Sequence, residues 1–145
     1  MKKYSFILFF SFLGLLSLQS CDRNATDQTV SVDPLLLEGE WVVAQFQSGL
    51  INETSYFRNI RFRIQSNGDF IVVRLNNELT RGNWTLLNGN RKLDIWVPDF
   101  VNEEQAAQRF GDEIYEIHDD WNVLEFSSSR IRIKSDKETF TLVRQ

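Results

Sequence analysis

His118-Asp119-Asp120 is the one stretch of this 145-residue chain where side chains able to hold a metal or move a proton stand together. Zinc or iron sites need three or more converging donors, at least one of them brought in from elsewhere in the chain. The sole histidine beside two carboxylates lacks that distant partner. Aspartates in a turn are ordinary, because their side chains bond their own backbone. No serine sits in a nucleophile motif, and no glycine-rich phosphate loop follows a strand. Glu103 and Glu104 suit the positive end of a helix. The expectation is a protein without catalytic residues, without metal ligands and without a cofactor.

The other reactive side chain is Cys21, the only cysteine, so no intramolecular disulfide can form. Lys2 and Lys3 open the chain, an apolar run extends from Tyr4 to Leu18, and Asp22-Arg23-Asn24 turns it polar. A basic start, an apolar core and small residues before a cut make a secretory signal. With an apolar Leu18 at −3, small Ser20 at −1 and Cys21 at +1, Leu18-Gln19-Ser20-Cys21 resembles the lipobox of a bacterial lipoprotein. That resemblance implies removal of residues 1–20, lipid on Cys21 and a lipid-anchored place in the bacterial cell envelope, the outer membrane being favoured over the inner. Two alternatives stand beside it. One is an uncleaved spanning helix, for which the run falls several residues short of about 20; the other is an ordinary signal with Cys21 there by chance.

Removing residues 1–20 would take away two of sixteen basic residues and no acids, leaving a formal −6 on 125 residues. That length suits one domain, and the acidic balance argues against nucleic acid as a partner. Beyond Cys21 the polar stretch to about residue 35 reads as a flexible tether, spanning roughly 20 Å as a coil. Residues 36–145 form the domain.

The elements of that domain follow from period-two alternation of apolar and polar residues. Strands are expected at about 38–48, 57–65, 70–75, 79–87 and 92–97. They are separated by turns at Ser66–Asp69, Asn76-Asn77 and Asn88–Asn90, where Asn and Gly supply positive φ. Pro98 ends the fifth strand. Asn102, with Gln105 three residues on, caps a short helix over Glu103–Phe110, and Gly111 stops it. A sixth strand is expected at 113–118 and a seventh at 122–134, bent by a bulge at Ser127–Ser129. The eighth is expected at 139–144. Eight strands with short connections make an all-β, antiparallel up-and-down barrel, with one short helix between strands five and six. A two-sheet sandwich is the rival architecture.

Gly39-Glu40-Trp41 early in such a meander, Phe62 with Asn67-Gly68-Asp69-Phe70, Gly82-Asn83-Trp84-Thr85-Leu86 and the closing Phe140–Arg144 resemble the lipocalin-like domains of bacterial lipoproteins. The resemblance covers about residues 36–144. It implies a calyx able to hold a small apolar molecule. The helix departs from that pattern, since the one familiar from larger lipocalins follows the last strand.

In a meander alternate hairpins share an end. Turns at 66–69, 88–90 and 119–120 would close one end, beside Trp41 and the tether. The long segments 49–56 and 98–112, with 76–77 and 135–137, would form the mouth, held away from the membrane. Candidate ligand-binding residues there are Leu50, Ile51, Tyr56, Phe57, Trp96, Phe100, Val101 and Phe110. The expected partners are the membrane, through lipid on Cys21, and either a small apolar ligand or an envelope protein. The first needs a hollow barrel; the second is compatible with one filled by its own aromatic side chains.

Overall fold

The computed structural model describes residues 28–111 and 114–145. The signal and Cys21 fall outside these residues. The strands, in chain order, are β1 (Gly39–Ser48), β2 (Ile51–Asn52), β3 (Ile60–Ile64), β4 (Asp69–Arg74), β5 (Asn77–Leu87), β6 (Lys92–Trp96), β7 (Asp120–Phe126), β8 (Arg130–Lys134) and β9 (Glu138–Arg144). All pairings are antiparallel and follow the chain, and β9 returns to pair with β1. β2 only folds back on the end of β1. The remaining eight strands close into an up-and-down barrel, which leaves no free edge. The barrel, not the sandwich, is the architecture.

The hairpins form where asparagine and glycine allow positive φ. Gly68 sits at φ 92°, and Asn88, Gly89 and Asn90 lie between 52° and 65°. Leu75 and Asn76, at 50° and 71°, turn β4 into β5. The helix α2 (Glu103–Phe110) has the predicted ends. Asn102 Oδ1 accepts from the Gln105 N–H at 3.0 Å, and Gly111 at φ 96° donates to the Ala107 carbonyl.

Two expectations are corrected. The sixth strand expected at 113–118 is absent: Ile114–Ile117 form a 3₁₀ turn. Ile114 and Ile117 both face the core, a three-residue spacing that suits such a turn and that a strand cannot bury on one face. The seventh strand is not one bent strand but two, β7 and β8, joined by a hairpin at Ser127–Ser129. Ser127 Oγ accepts from the Ser129 and Arg130 amides and makes the turn without glycine. The strand total stays at eight. The bulges lie elsewhere, between Val43 and Gln45, Val72 and Val73, and Val123 and Glu125.

The last described part of the expected tether is packed rather than free. The Val30 amide donates to the Val123 carbonyl at 2.7 Å and the Val32 amide to Asn90 at 2.8 Å. Val32 and Leu37 are buried. A single helical turn, α1 (Pro34–Leu37), capped by Asp33, leads into β1. The segment thus covers the end of the barrel that also holds Gln65–Gly68, Asn88–Arg91 and Ser127–Ser129.

That end is fastened by Arg144. Its guanidinium lies 4.5 Å from the Trp41 ring centre and donates to the carbonyls of Ser128 (2.6 Å), Glu38 (2.6 Å) and Leu36. Gly39 sits there at φ 145°, which L side chains rarely adopt, and a Cβ would also displace the same guanidinium. The Trp41 indole donates to the Leu37 carbonyl at 2.9 Å, so this large side chain is buried without an orphaned donor.

Candidate functional site

The opposite end collects the segments 49–59, 75–76, 97–111, 114–119 and 135–137, because every strand pairing is antiparallel and sequential. Asp119 therefore belongs to this end and not to the closed one, while Ser127–Ser129 takes its place there. All eight candidate ligand-binding residues stand at or near the long-loop end, but they divide into two sets.

Phe57, Phe100 and Phe110 are core residues, exposed by only 2%, 2% and 4%. Phe57 closes the 3₁₀ turn Thr54–Phe57 and packs edge-on to Phe46 and Phe140, both at 5.1 Å between ring centres. Phe46 and Phe140, neighbours across the β1–β9 seam, stack at 4.3 Å. Trp121 meets Phe140 edge-on at 5.2 Å, and its indole donates to the Ile117 carbonyl. Phe100 and Phe110 meet edge-on at 5.5 Å and fix α2 to the barrel. Rings in these arrangements fill the space that a calyx would leave open. Phe57 is a plug in the mouth rather than a wall of it.

Leu50, Ile51, Tyr56, Trp96 and Val101 are exposed. Leu50 and Ile51 lie at the β1–β2 turn, and Tyr56 immediately precedes the plug. Trp96 is on the outer face of β6, its ring centre 6.5 Å from His118. These five are spread over the rim and do not enclose a common space.

The clefts lie on the outside, and none of those described is lined by Phe46, Phe57, Trp121 or Phe140. One of about 460 Å³ is bounded by Ser55, Tyr56, Arg58, Asn59, Ile60 and Arg74. Another, of about 250 Å³, shares Arg58, Asn59 and Ile60 and adds Arg61, Leu75 and Asn76. A third, of about 360 Å³, runs beside Val101, Tyr115 and His118.

The His118 and Asp119 side chains bond nearby backbone. His118 Nδ1 accepts the Val97 N–H at 2.8 Å, and Asp119 Oδ1 accepts the Asp120 N–H at 2.7 Å. Among the described residues no group of three or more histidines, cysteines and carboxylates could hold a metal. Asp94, on β6 beside Asp120, has its carboxyl pushed up by burial and by the neighbouring Asp120 carboxylate. Lys92 is pushed up by its hydrogen bond to Asp120.

Arg58 and Arg74 were missed in the sequence. The available signal was the hairpin register, which sets Ile60 opposite Arg74 and so brings Arg74 to the start of β3, two residues after Arg58.

No family model matches the sequence, and no curated protein matches it. Solved structures do resemble the fold. A lipocalin-like protein from Bacteroides uniformis superposes with a TM-score of 0.53 at 19% identity, over 76% of this chain and 99% of that one. A protein from Bacteroides eggerthii, described as uncharacterized, gives 0.51 at 15% identity, over 74% and 98%. The fold is a lipocalin-like barrel, closed by eight antiparallel strands and carrying one short helix between its fifth and sixth.

Proposed function

We propose that this protein is a non-catalytic binding module of the bacterial envelope, tethered through lipid on Cys21, which works with the outside of its long-loop end rather than with a hollow interior. The observation that supports this reading is the seat of Phe57 between Phe46 and Phe140, which leaves the mouth plugged by the chain's own rings. The lipid reading rests on Leu18–Cys21. Because residues 28–38 cover the opposite end, a chain anchored at Cys21 turns its long loops away from the membrane. No cofactor enters this reading.

The test has two arms. The mass of the mature chain reads lipid on Cys21; an unlipidated chain that retains Leu18–Ser20 refutes the anchor. Photo-crosslinkers at Tyr56 and Val101, with Glu125 at the closed end as control, are expected to capture one envelope component from the first two only. Capture from neither, or from all three alike, refutes the module.

A second reading is favoured by the exposure of Leu50, Ile51 and Val101 on one rim. In it a small apolar ligand rests on these residues. Native mass spectrometry of protein from its own host is expected to show the added mass; its absence removes this reading and leaves the first.

A further inference from the structure

The rim beside the Phe57 plug carries positive charge that other parts of the barrel neutralise. Arg61 and Arg63 reach Glu40 at 3.5 and 2.6 Å, and Arg81 reaches Asp69 and Glu78 at 2.7 and 3.0 Å. Arg109 meets Asp99 at 3.3 Å, and Arg130 meets Glu125 at 3.2 Å. Arg58 and Arg74, like Arg91 and Arg132, have no carboxylate partner among the described residues, but these two alone among them line one cleft, that of 460 Å³. Among the described residues no aspartate or glutamate lines that cleft, and the one that adjoins it adds only the chain-terminal Gln145 as a source of negative charge. Instead the walls offer the hydroxyls of Ser55 and Tyr56 and the amide of Asn59. On a chain with four more acids than bases this is a local inversion of charge.

The backbone that carries both arginines is held in place, and so is the Arg74 guanidinium. Phe57 is anchored in the core, and its turn is strapped to β1, where the Phe46 amide donates to Thr54 Oγ1 at 2.9 Å. Arg58 follows directly, its amide donating to the Ser55 carbonyl at 3.3 Å. Arg74 stands opposite Ile60 in the β3–β4 ladder and donates to the Phe110 carbonyl at the end of α2. The plug that fills the barrel therefore sets the cation on its rim.

We propose that the Arg58–Arg74 cleft binds an oxyanion, the phosphate or carboxylate group of a soluble ligand. A guanidinium presents planar paired donors that match such groups, and hydroxyl and amide donors complete the shell. This deepens the proposed function by giving its long-loop end a ligand class, and it fails separately: a site that binds while cross-linking recovers nothing refutes the module and not the site.

The test is an NMR titration of the ¹⁵N-labelled, detergent-solubilised full chain with pyrophosphate and with octanoate, following arginine Nε–H signals. Saturable shifts are expected at Arg58 and Arg74, with Arg132, exposed on the outside of β8, as the silent control. Arg58→Ala is expected to weaken binding about tenfold or more, and Arg58→Lys to restore part of it. Shifts no larger at Arg58 and Arg74 than at Arg132, or a Kd unchanged by Arg58→Ala, overturn the proposal. Vesicles of phosphatidylglycerol form a third arm. Arg58-dependent binding to them, without binding to either soluble anion, makes a headgroup the ligand and overturns the soluble source.

Discussion

Replacing Phe57 with alanine tests whether the barrel is filled. The ring is 2% exposed and touches Phe46, Phe140 and Phe62. Returning a buried phenyl ring to water forfeits about 2 kcal/mol. A void of roughly 100 Å³ among rings that cannot collapse adds about 2 kcal/mol more. A loss of about 4 kcal/mol corresponds to a fall of roughly 15 °C in Tm for a domain of this size. The void is lined by carbon and stays dry, so it should accept a benzene-sized molecule. Thermal unfolding followed by circular dichroism, with and without benzene, reads both effects. The variant should melt far lower and regain stability with benzene, whereas the wild type should not respond. A variant within about 1 kcal/mol of wild type, or a wild type that benzene itself stabilises, refutes the filled interior. Should the alanine variant fail to fold, Phe57→Leu leaves a smaller gap and should lose about 1–1.5 kcal/mol.

Three further outcomes follow from particular contacts. Arg144→Lys should destabilise the domain by about 2–4 kcal/mol in urea unfolding, because an ammonium cannot cover Trp41 and serve three carbonyls at once. Gly82→Ala should prevent a native fold, read as loss of near-ultraviolet dichroism, since its Cβ would meet the Trp96 carbonyl and lie 2.8 Å from Val97 Cα. Asp94→Asn should stabilise the protein at neutral pH. The Asp94 carboxyl is raised in the folded state, so folding favours its protonated form, and stability falls as pH rises from the usual carboxylate range through the raised value. The amide removes that loss, and the two proteins should converge in denaturation midpoint below that range.

Alternation and turn chemistry were enough to place β1, β3–β6, β9 and α2 to within a few residues. β3–β6 and α2 are marked locally, by asparagine and glycine turns, by Pro98 or by the Asn102 cap, and β1 and β9 by alternation alone. The misread region, 113–134, lacks such marks. Its isoleucines at 114 and 117 satisfy an apolar count without a period, and three serines make a full hairpin turn where a bulge within one strand was expected. The closure of β1 on β9 followed only from the strand total, because no local residue announces a partner about a hundred positions away. The candidate site was legible by place and not by state. Which loops share an end follows from strand order, but whether Phe57 lines a mouth or fills it depends on rings contributed by β1, β7 and β9. Arg58 and Arg74 stayed hidden for a related reason. Unpaired charge becomes visible only when every neighbour's partner is known.

The hold of Arg144 on Leu36, Glu38 and Ser128 has a consequence for how the chain is made. Antiparallel neighbours can zip as they emerge from the ribosome, but the first strand keeps one bare edge until Glu138–Arg144 arrives. Long-range pairing of this kind is slow to form and leaves edges exposed meanwhile. The barrel therefore seals only once Glu138–Arg144 has been made, and whatever handles the nascent chain before then meets it open. Glu138–Arg144 is accordingly not a stretch that can be trimmed; a stop codon ahead of Glu138 would leave most of the polypeptide with no seam.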